Sequence, residues 1–477
     1  MAETVASGRP SPALRHALVP LALAQFICSF AGSNMNVMIN DMSKDLNTTV
    51  EGIQTAITVF LLTMAALMIP CGKLTDRYGR ILLFRLGLLV YGVGALLSAV
   101  APGLGLLIVG NSILEGVGTA LLIPPVYILT TLLFTDTVSR ARSFGTISAA
   151  AGVGAAAGPL IGGLIASAIS WRAAFVFQAL VIVVIMRLAR HVHDPLPADP
   201  TRTFDLRGAV LSAVGLVLLV MGILAADNNV WLMLGLLAAS ALALVGFFVS
   251  TRAMERAGKK EPLLSTALFR NRVSNLGLVT QNVQWLMLMG ASFTVAAYLQ
   301  VVRGYNPIQT GVIFTAATIG LLLSSLGAER FAKRRAQRSL IMAGFVLSIV
   351  GIGILLGMVN LSDSAYALTP GLFVLGFGIG AMLTPSINVV QSSFGETLQG
   401  EISGLSRSIS NLGSSLGTAI AGTIIVASAD KHGYAAAMIA LAAIGLLGLG
   451  AAAFLPGRRP RPVAAAVPRE APGLGTT

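Results

Sequence analysis

Charged residues are scarce in this sequence. Only 11% of the 477 residues are Asp, Glu, Lys or Arg, whereas 55% are hydrophobic and the mean hydropathy is +0.83. Soluble globular domains carry about 25% charged residues, so this composition excludes a soluble fold. The chain is therefore predicted to lie mostly within a membrane.

Cysteine and histidine, the usual soft metal ligands, are also rare. Cys28 and Cys71 lie in or beside apolar runs at different predicted depths, which argues against a disulfide framework or a thiolate metal site. The four histidines form no ligand set, and His191 and His193 stand in a polar segment. We expect neither a metal nor a cofactor.

Features of nucleotide-driven pumps and of enzymes are missing as well. The phosphate-binding pattern G-x-x-x-x-G-K-[ST] does not occur, and the connections are too short for a nucleotide-binding domain. Residues 413–417 match the nucleophile pattern G-x-S-x-G, but they lie in an apolar run and not in the strand–turn–helix that this pattern needs. We expect no enzymatic activity and no nucleotide as a partner.

Long apolar runs, in contrast, fill the sequence. Fourteen of them have the length of a membrane helix, roughly 17–25 residues. Polar stretches bracket the seventh and eighth runs, which predicts an all-α protein with two inserted central helices. The predicted units are an N-terminal six-helix bundle (1–190), linkers with the two inserted helices (191–274), a C-terminal six-helix bundle (275–457) and a disordered cytoplasmic tail (458–477).

An internal repeat supports the two bundles. Residues 116–125 of the fourth run align without a gap to residues 376–385 of the twelfth, and the glycines of the fifth run match those of the thirteenth. Both pairs are eight runs apart, which is six plus the two inserted runs. Chance similarity between glycine-rich helices is the alternative, but the shared offset favours parallel six-helix repeats.

Basic residues are distributed unevenly between the two sides of the membrane. Nearly all Lys and Arg fall on the side that holds both termini, and the other side keeps only Lys44, Arg172, Arg303 and Lys431. The positive-inside rule makes the basic side cytoplasmic. This rule also accounts for the net charge of +13 without nucleic acid as a partner.

The fifth run carries glycines at regular spacing. Gly154, Gly158 and Gly162 recur every four residues and share one helix face, on which a second backbone can approach closely. Pro159 removes one backbone hydrogen bond and is predicted to bend the helix. Ordinary helix packing is the alternative to a specific role.

The loop after the second run is rich in glycine and arginine. Gly72 and Gly79 permit a tight turn there, and Asp76 can favour a helix N-terminus. The arginines at 77 and 80 can pair with acids across the interface between the bundles. A basic loop that serves only to orient the chain is the alternative.

Two of these motifs resemble those of one known family. The pattern G-x-x-x-G-P-x-x-G-G in the fifth run is similar to the antiporter motif of major facilitator superfamily exporters, and the loop resembles the signature G-x-L-a-D-R-x-G-R. With fourteen runs, the chain resembles the fourteen-helix drug:proton antiporter family. The resemblance implies a major facilitator fold in which the loop is a latch, with conformational gating by Gly72, Asp76, Arg77, Gly79, Arg80, Gly154, Gly158, Pro159, Gly162 and Gly163.

The chain departs from this family in its acidic residues. Ala31 stands where members commonly carry an Asp in the first helix, and Glu115 replaces the family glutamine of the fourth. Glu115 is the one acid predicted to lie deep in the membrane, where an ionisable group suggests a function. We predict that it is the proton-coupling site, and a structural, permanently protonated Glu is the alternative.

Polar residues in several runs could line a central cavity. Those of the first run follow one helix face, and others lie in runs four, nine, twelve and thirteen. Hydrogen bonding between helices is the alternative for each amide. The predicted cavity residues are Gln25, Ser29, Ser33, Asn36, Asn40, Asn111, Thr119, Gln281, Gln284, Trp285, Asn388, Arg407 and Asn411.

The function implied by the resemblance is secondary active transport. The chain is expected to export small amphipathic or drug-like compounds in exchange for protons by alternating access, as a monomer in the plasma membrane. A dedicated metabolite or lipid exporter, or a proton-independent facilitator, would have the same fold. No stretch of the sequence specifies the substrate.

The uneven distribution of Lys and Arg predicts that the C-terminus lies in the cytoplasm. A green fluorescent protein fused there should fluoresce, and a fused alkaline phosphatase should be inactive, because each reporter works on only one side of the membrane. An active phosphatase would reverse the predicted orientation.

Overall fold

A computed structural model describes residues 12–457, apart from 135–136, 200, 202, 227–228, 259–261, 333–335, 362–363, 395–397 and 429–430. All regular elements in these ranges are helical, as predicted, and the predicted tail at 458–477 lies outside them. The long helices are α1 Pro12–Asn34, α2 Val50–Tyr78, α3 Arg80–Ala99, α4 Gly116–Leu133, α5 Thr137–Ala168, α6 Trp171–Leu188, α7 Leu206–Leu224, α8 Val230–Ala257, α9 Arg272–Ala297, α10 Pro307–Ala332, α11 Gln337–Leu361, α12 Thr369–Gln391, α13 Gln399–Ser428 and α14 Lys431–Ala453.

These helices are long and apolar enough to cross a membrane. Thirteen qualify directly, and α5 is the fourteenth when its two bent halves are counted as one span. The halves, Gly145–Ala155 and Ala157–Ala168, meet at 43°. Pro159 cannot donate a hydrogen bond to the carbonyl one turn before it, which explains the bend. The predicted fourteen-helix membrane fold is confirmed.

The first span is longer than its apolar run indicates. After α1 the chain continues through the 3-10 turn Met35–Met38 and the short helix Ile39–Asp45. The span therefore covers Ala17–Asp45, beyond the end that the sequence predicts near Ile39. We call the membrane side on which α1 begins the near face and the side on which it ends the far face.

The packing of α4 and α12 reproduces the internal repeat. A Cβ atom at Gly116 would lie 2.9 Å from Thr63 of α2, and one at Gly376 would overlap Ala317 of α10. Two residues further on, Gly118 faces α3 and Gly378 faces α11. Because α10 and α11 follow α2 and α3 by eight helices, equivalent glycines contact equivalent helices in the two halves.

The glycines of α5 and α13 extend this correspondence. A Cβ atom at Gly154 or Gly158 would overlap α1, and one at Gly413 or Gly417 would overlap α9. The predicted close approach of a second backbone is thus confirmed. Gly163 lies off this stripe and contacts Pro307 at the start of α10, so that α5 also joins the two halves.

Helices α2 and α13 form a long antiparallel contact between the halves. Near the far face, the side chain of Gln54 donates to the carbonyl oxygen atoms of Thr418 and Ala419 at 3.4 and 3.3 Å. At the near face, Lys73 Nζ lies 2.8 Å from Glu401 Oε1. The two helices therefore touch from one membrane face to the other.

The inserted helices α7 and α8 lie outside this contact. They pack on each other through Gly215, whose carbonyl oxygen accepts a 2.7 Å hydrogen bond from Ser240 Oγ. The buried Val220 of α7 packs among Leu62 of α2 and Leu412 of α13. The insertion thus packs against the α2–α13 contact through α7.

Replacing Gly158 with Leu should destabilise the protein by about 1–3 kcal/mol, because the new side chain overpacks the α1–α5 contact. The decrease in melting temperature can be measured in detergent. Gly152→Leu is the matched control, since Gly152 lies on the same helix with open space around it. Equal melting temperatures for the two variants would contradict this packing.

Candidate substrate cavity and buried carboxyl site

A cavity lies between the two bundles. Its volume is about 60 Å³, below the range of about 300–1,000 Å³ that is typical of small-molecule sites, so this conformation is too closed for a drug-sized molecule. Helices α1, α2, α4 and α5 form one wall, and α9 and α13 form the other. Its lining residues are Gln25, Cys28, Ser29, Gly32, Leu61, Met64, Met68, Ile123, Ala155, Trp285, Met289, Arg407, Ser410, Asn411 and Ser414.

The chemistry of the wall is apolar with a few polar groups. Met64, Met68 and Met289 line it together with Trp285. Methionine side chains adapt to different shapes and are frequent on promiscuous binding surfaces. These side chains can therefore rearrange around molecules of different shapes.

Arg407 is the charged residue of the described wall. It lies on α13, and its guanidinium donates a hydrogen bond to the hydroxyl of Tyr127 on α4. The guanidinium carbon also lies 4.9 Å from the centre of the Tyr127 ring. This pair connects the two bundles beside the cavity, and Tyr127 is not among the predicted cavity residues.

Other predicted cavity residues connect the bundles near the far face. The Gln300 side chain accepts a 3.1 Å hydrogen bond from the backbone N–H of Asn40 and donates one of 2.8 Å to the carbonyl oxygen of Asn36. The backbone N–H of Ile308 donates to Ser167 Oγ at 3.0 Å. Polar contacts thus join the bundles at this end of the cavity.

Further predicted residues form contacts between helices away from the described cavity wall. Gln281 accepts a 2.7 Å hydrogen bond from Ser406, and Gln284 accepts one of 3.1 Å from Ser386. Ser33 donates to the Phe30 carbonyl oxygen at 3.2 Å and lies against the glycine stripe of α5. Asn388 is exposed on α12. The two glutamines therefore form hydrogen bonds between helices, which is the alternative to lining the cavity.

The turn of the near-face loop is formed at one of the two predicted glycines and not at both. Helix α2 continues through Gly72 to Tyr78, so Gly72 is helical and does not form the turn. Of these two glycines, it is Gly79 that has a positive φ, 97°, a conformation that favours glycine. Asp76 lies in the last turn of α2, and its side chain, on which the predicted role depends, is outside the described residues.

The arginines of this loop also make contacts other than those predicted. The Arg80 backbone N–H donates to Asp194 Oδ2 at 2.7 Å, and the guanidinium lies 3.9 Å from the same carboxylate. Arg77 lies over the ring of Tyr78 at 5.5 Å. Arg80 therefore anchors the loop to the segment after α6. The described ion pair across the bundle interface at this face is the one between Lys73 and Glu401.

A second site surrounds the carboxyl group of Glu115. The residue ends the π-helix Ile108–Glu115, which precedes α4, and it is fully buried. Ser98 Oγ donates to Glu115 Oε1 at 3.4 Å, whereas Oε2 has no hydrogen-bond partner among the described residues. Tyr91 and Asn111 lie against the same carboxyl group. Such π-helical turns occur frequently at functional sites.

Cys28 lies between the two sites. Its side chain lines the cavity and approaches Thr119 and Glu115. Asn111 and Thr119, predicted as cavity residues, are fully buried and belong to the carboxyl site instead. Glu115 itself is absent from the described cavity wall.

Several residues of both sites were missed in the sequence. Met64 and Met68 recur at helical spacing in α2, which is a detectable signal for one face of a helix. Tyr91 and Ser98 carry no comparable signal, because their relation to Glu115 depends on the crossing of α3 with the π-helix.

Comparison with known proteins identifies the fold and its family. A sequence profile of the Major Facilitator Superfamily matches residues 21–418, and a second match covers 277–475. The chain belongs to the Major Facilitator Superfamily. A peptide transporter in complex with sulfate superposes with a TM-score of 0.68 at 17% identity over 92% of this chain and 94% of its own, which supports the fold alone.

Relatives of this superfamily member include antibiotic resistance proteins. The puromycin resistance protein of Streptomyces alboniger is 28% identical over 88% of this chain and 84% of its own. The tetracenomycin C resistance and export protein of Streptomyces glaucescens is 30% identical over 89% and 78%. The chain is thus a multi-pass membrane transporter whose relatives include antibiotic resistance and export proteins.

The Lys73–Glu401 pair should stabilise the conformation in which α2 and α13 touch at the near face. Both side chains are about one-fifth exposed, at 22% and 21%, so that the pair contributes roughly 0.2–1 kcal/mol. Lys73→Glu should shift the population towards separated near-face ends by about two- to fivefold. The double variant Lys73→Glu/Glu401→Lys should restore most of the original population.

Spin labels at the exposed Tyr78, which ends α2, and Ser392, which follows α12, would report the separation of the two bundles at the near face. The distance between the labels would be measured by double electron–electron resonance, with both native cysteines replaced. Lys44→Glu makes the same charge change at an exposed residue near the far face and is the control. Identical distance distributions for all variants would show that the pair has no conformational role.

Proposed function

We propose that this transporter exports small amphipathic or drug-like compounds in exchange for protons by alternating access. In this proposal it lies in the plasma membrane as a monomer, with its near face and both termini in the cytoplasm. The observation that carries the proposal is the fully buried Glu115 directly behind the wall of a cavity between two structurally repeated bundles.

The position of the cavity supports alternating access. The cavity is bounded by both bundles, so rotation of one bundle against the other would change the side on which it opens. Separate contacts join the bundles at the two faces, through Gln300 at one end and through Lys73 and Glu401 at the other. The contacts at one face can break while those at the other face remain formed.

The surroundings of Glu115 support proton coupling. An ionised carboxylate without a cationic partner is costly inside a membrane, whereas the protonated form is neutral. The Ser98 hydroxyl can donate to Oε1 of the ionised form. Oε2, which has no hydrogen-bond partner among the described residues, can carry the proton of the neutral form. A carboxyl group that gains and loses a proton during the cycle would couple the proton gradient to substrate movement.

The apolar wall supports a range of amphipathic substrates. Its methionines can rearrange around different molecules, which is a property of promiscuous binders. The two relatives described above are named for the resistance to, or export of, individual antibiotics. A cavity of this composition is suited to such compounds.

Glu115→Gln should abolish pH-driven accumulation in proteoliposomes, because the amide keeps the shape of the side chain but cannot titrate. Binding and downhill exchange should remain. The assay would use ethidium and 8-anilinonaphthalene-1-sulfonate as transported probes, with and without an imposed pH gradient.

Asp41→Asn is the matched control, since Asp41 lies in a separate cavity at the far face with Lys44 and Arg172. It should retain coupled transport. Unchanged uphill accumulation by Glu115→Gln would remove the coupling role from this residue. Wild-type transport at the same rate with and without the pH gradient would instead identify a proton-independent facilitator.

A further inference from the structure

Arg407 is a cationic group inside the membrane region and on the wall of the cavity. It is half-buried on α13, eight residues after the described start of that helix. A charged side chain is expensive in this environment and is normally paired. The partner of this guanidinium is therefore informative about what the cavity binds.

The described residues offer Arg407 no carboxylate. The ion pairs among them join Lys73 to Glu401, Arg80 to Asp194 and Arg172 to Asp45. The lining of the cavity, in the part of the chain that the structure describes, contains no Asp or Glu. The carboxyl group of Glu115 lies behind Cys28 and not on the wall.

The contact with Tyr127 leaves most of the guanidinium available. Arginine carries five N–H donors in a planar fork, and one of its nitrogen atoms donates to the Tyr127 hydroxyl. That hydroxyl is neutral, so it does not balance the charge. Asn411 and Ser414 follow Arg407 on the same face of α13 and add further polar groups beside it.

An apolar surface completes the wall. Trp285 and Met289 of α9 line it beside α13, and Met64 and Met68 of α2 line the other bundle. An aromatic ring system packs well on tryptophan and on methionine sulfur. The cavity thus combines a positive group with an aromatic-binding surface.

From this combination we infer that the preferred substrates are aromatic amphipathic compounds that carry an acidic group, which Arg407 binds. This inference rests on the proposed export function and specifies its substrate class. A carboxylate, phenolate or sulfonate would accept hydrogen bonds from the guanidinium, and the aromatic body would pack on Trp285 and the methionines. Cationic compounds are disfavoured because the described wall offers them no negative charge.

Two fluorescent probes with the same aromatic body test this directly. 8-Anilinonaphthalene-1-sulfonate carries a sulfonate, and N-phenyl-1-naphthylamine lacks it. Binding would be measured in phosphatidylcholine nanodiscs, which present no anionic lipid, with empty nanodiscs subtracted. Because hydrogen bonds to charged groups are strong, the wild type should bind the sulfonate about tenfold more tightly or better.

Variants of Arg407 assign the preference to this side chain. Arg407→Gln should weaken sulfonate binding about tenfold and change binding of the neutral probe by less than about twofold. Arg407→Lys keeps the charge but not the planar fork and should lie between the two. Arg303→Gln is the matched control, because Arg303 also pairs with a tyrosine, Tyr298, outside the cavity.

The outcomes separate this inference from the proposed function. Export of cationic ethidium with no binding of the sulfonate would overturn the inference and leave the export function standing. The inference would also be overturned if Arg407→Gln weakened the binding of both aromatic probes equally, or if Arg303→Gln weakened sulfonate binding as much as Arg407→Gln does. In either case the role of Arg407 would be structural. If the wild type transports neither ethidium nor the sulfonate, the proposed export function fails and the inference fails with it.

Discussion

Backbone contact between helices at glycine positions is the constraint on which this architecture depends. In a bilayer, apolar side chains gain little by exchanging lipid contacts for contacts with one another, so helices associate through close packing and a few polar contacts. Gly154 and Gly158 place α5 directly on α1, and Gly413 and Gly417 place α13 on α9. These two helix pairs carry many of the residues that line the cavity. The wall positions of the cavity are therefore fixed by small residues that do not bind the substrate themselves.

The features that the sequence predicts correctly depend on local composition and spacing. Apolar runs of bilayer length identify the fourteen spans, and a glycine repeat of four residues identifies the face of α5 that contacts α1. The bend in α5 follows from Pro159 in the same way. Gly72 shows the limit of such reasoning, since the same residue type forms the turn at Gly79 but lies within the helix seven residues earlier.

The remaining features depend on how distant segments meet, which no local pattern records. Lys73 and Glu401 are 328 residues apart in the sequence and form their pair only because α2 and α13 run antiparallel. Gln284 and Trp285 are adjacent on α9, yet the tryptophan lines the cavity and the glutamine binds Ser386 of α12. A polar residue in a membrane helix fits either role, and the orientation of the helix decides between them.

The separation of Glu115 from the cavity limits how a proton and a substrate can affect each other. Glu115 is absent from the described cavity wall, so a molecule in the described cavity does not contact its carboxyl group in this conformation. Two helices connect the carboxyl site with the cavity: α4, which follows Glu115 directly and carries the cavity residue Ile123, and α1, which carries Cys28. A movement of α1 would carry α5 with it, because the two helices touch at Gly154 and Gly158. Since α5 also contacts α10 through Gly163, such a movement would reach the interface between the bundles.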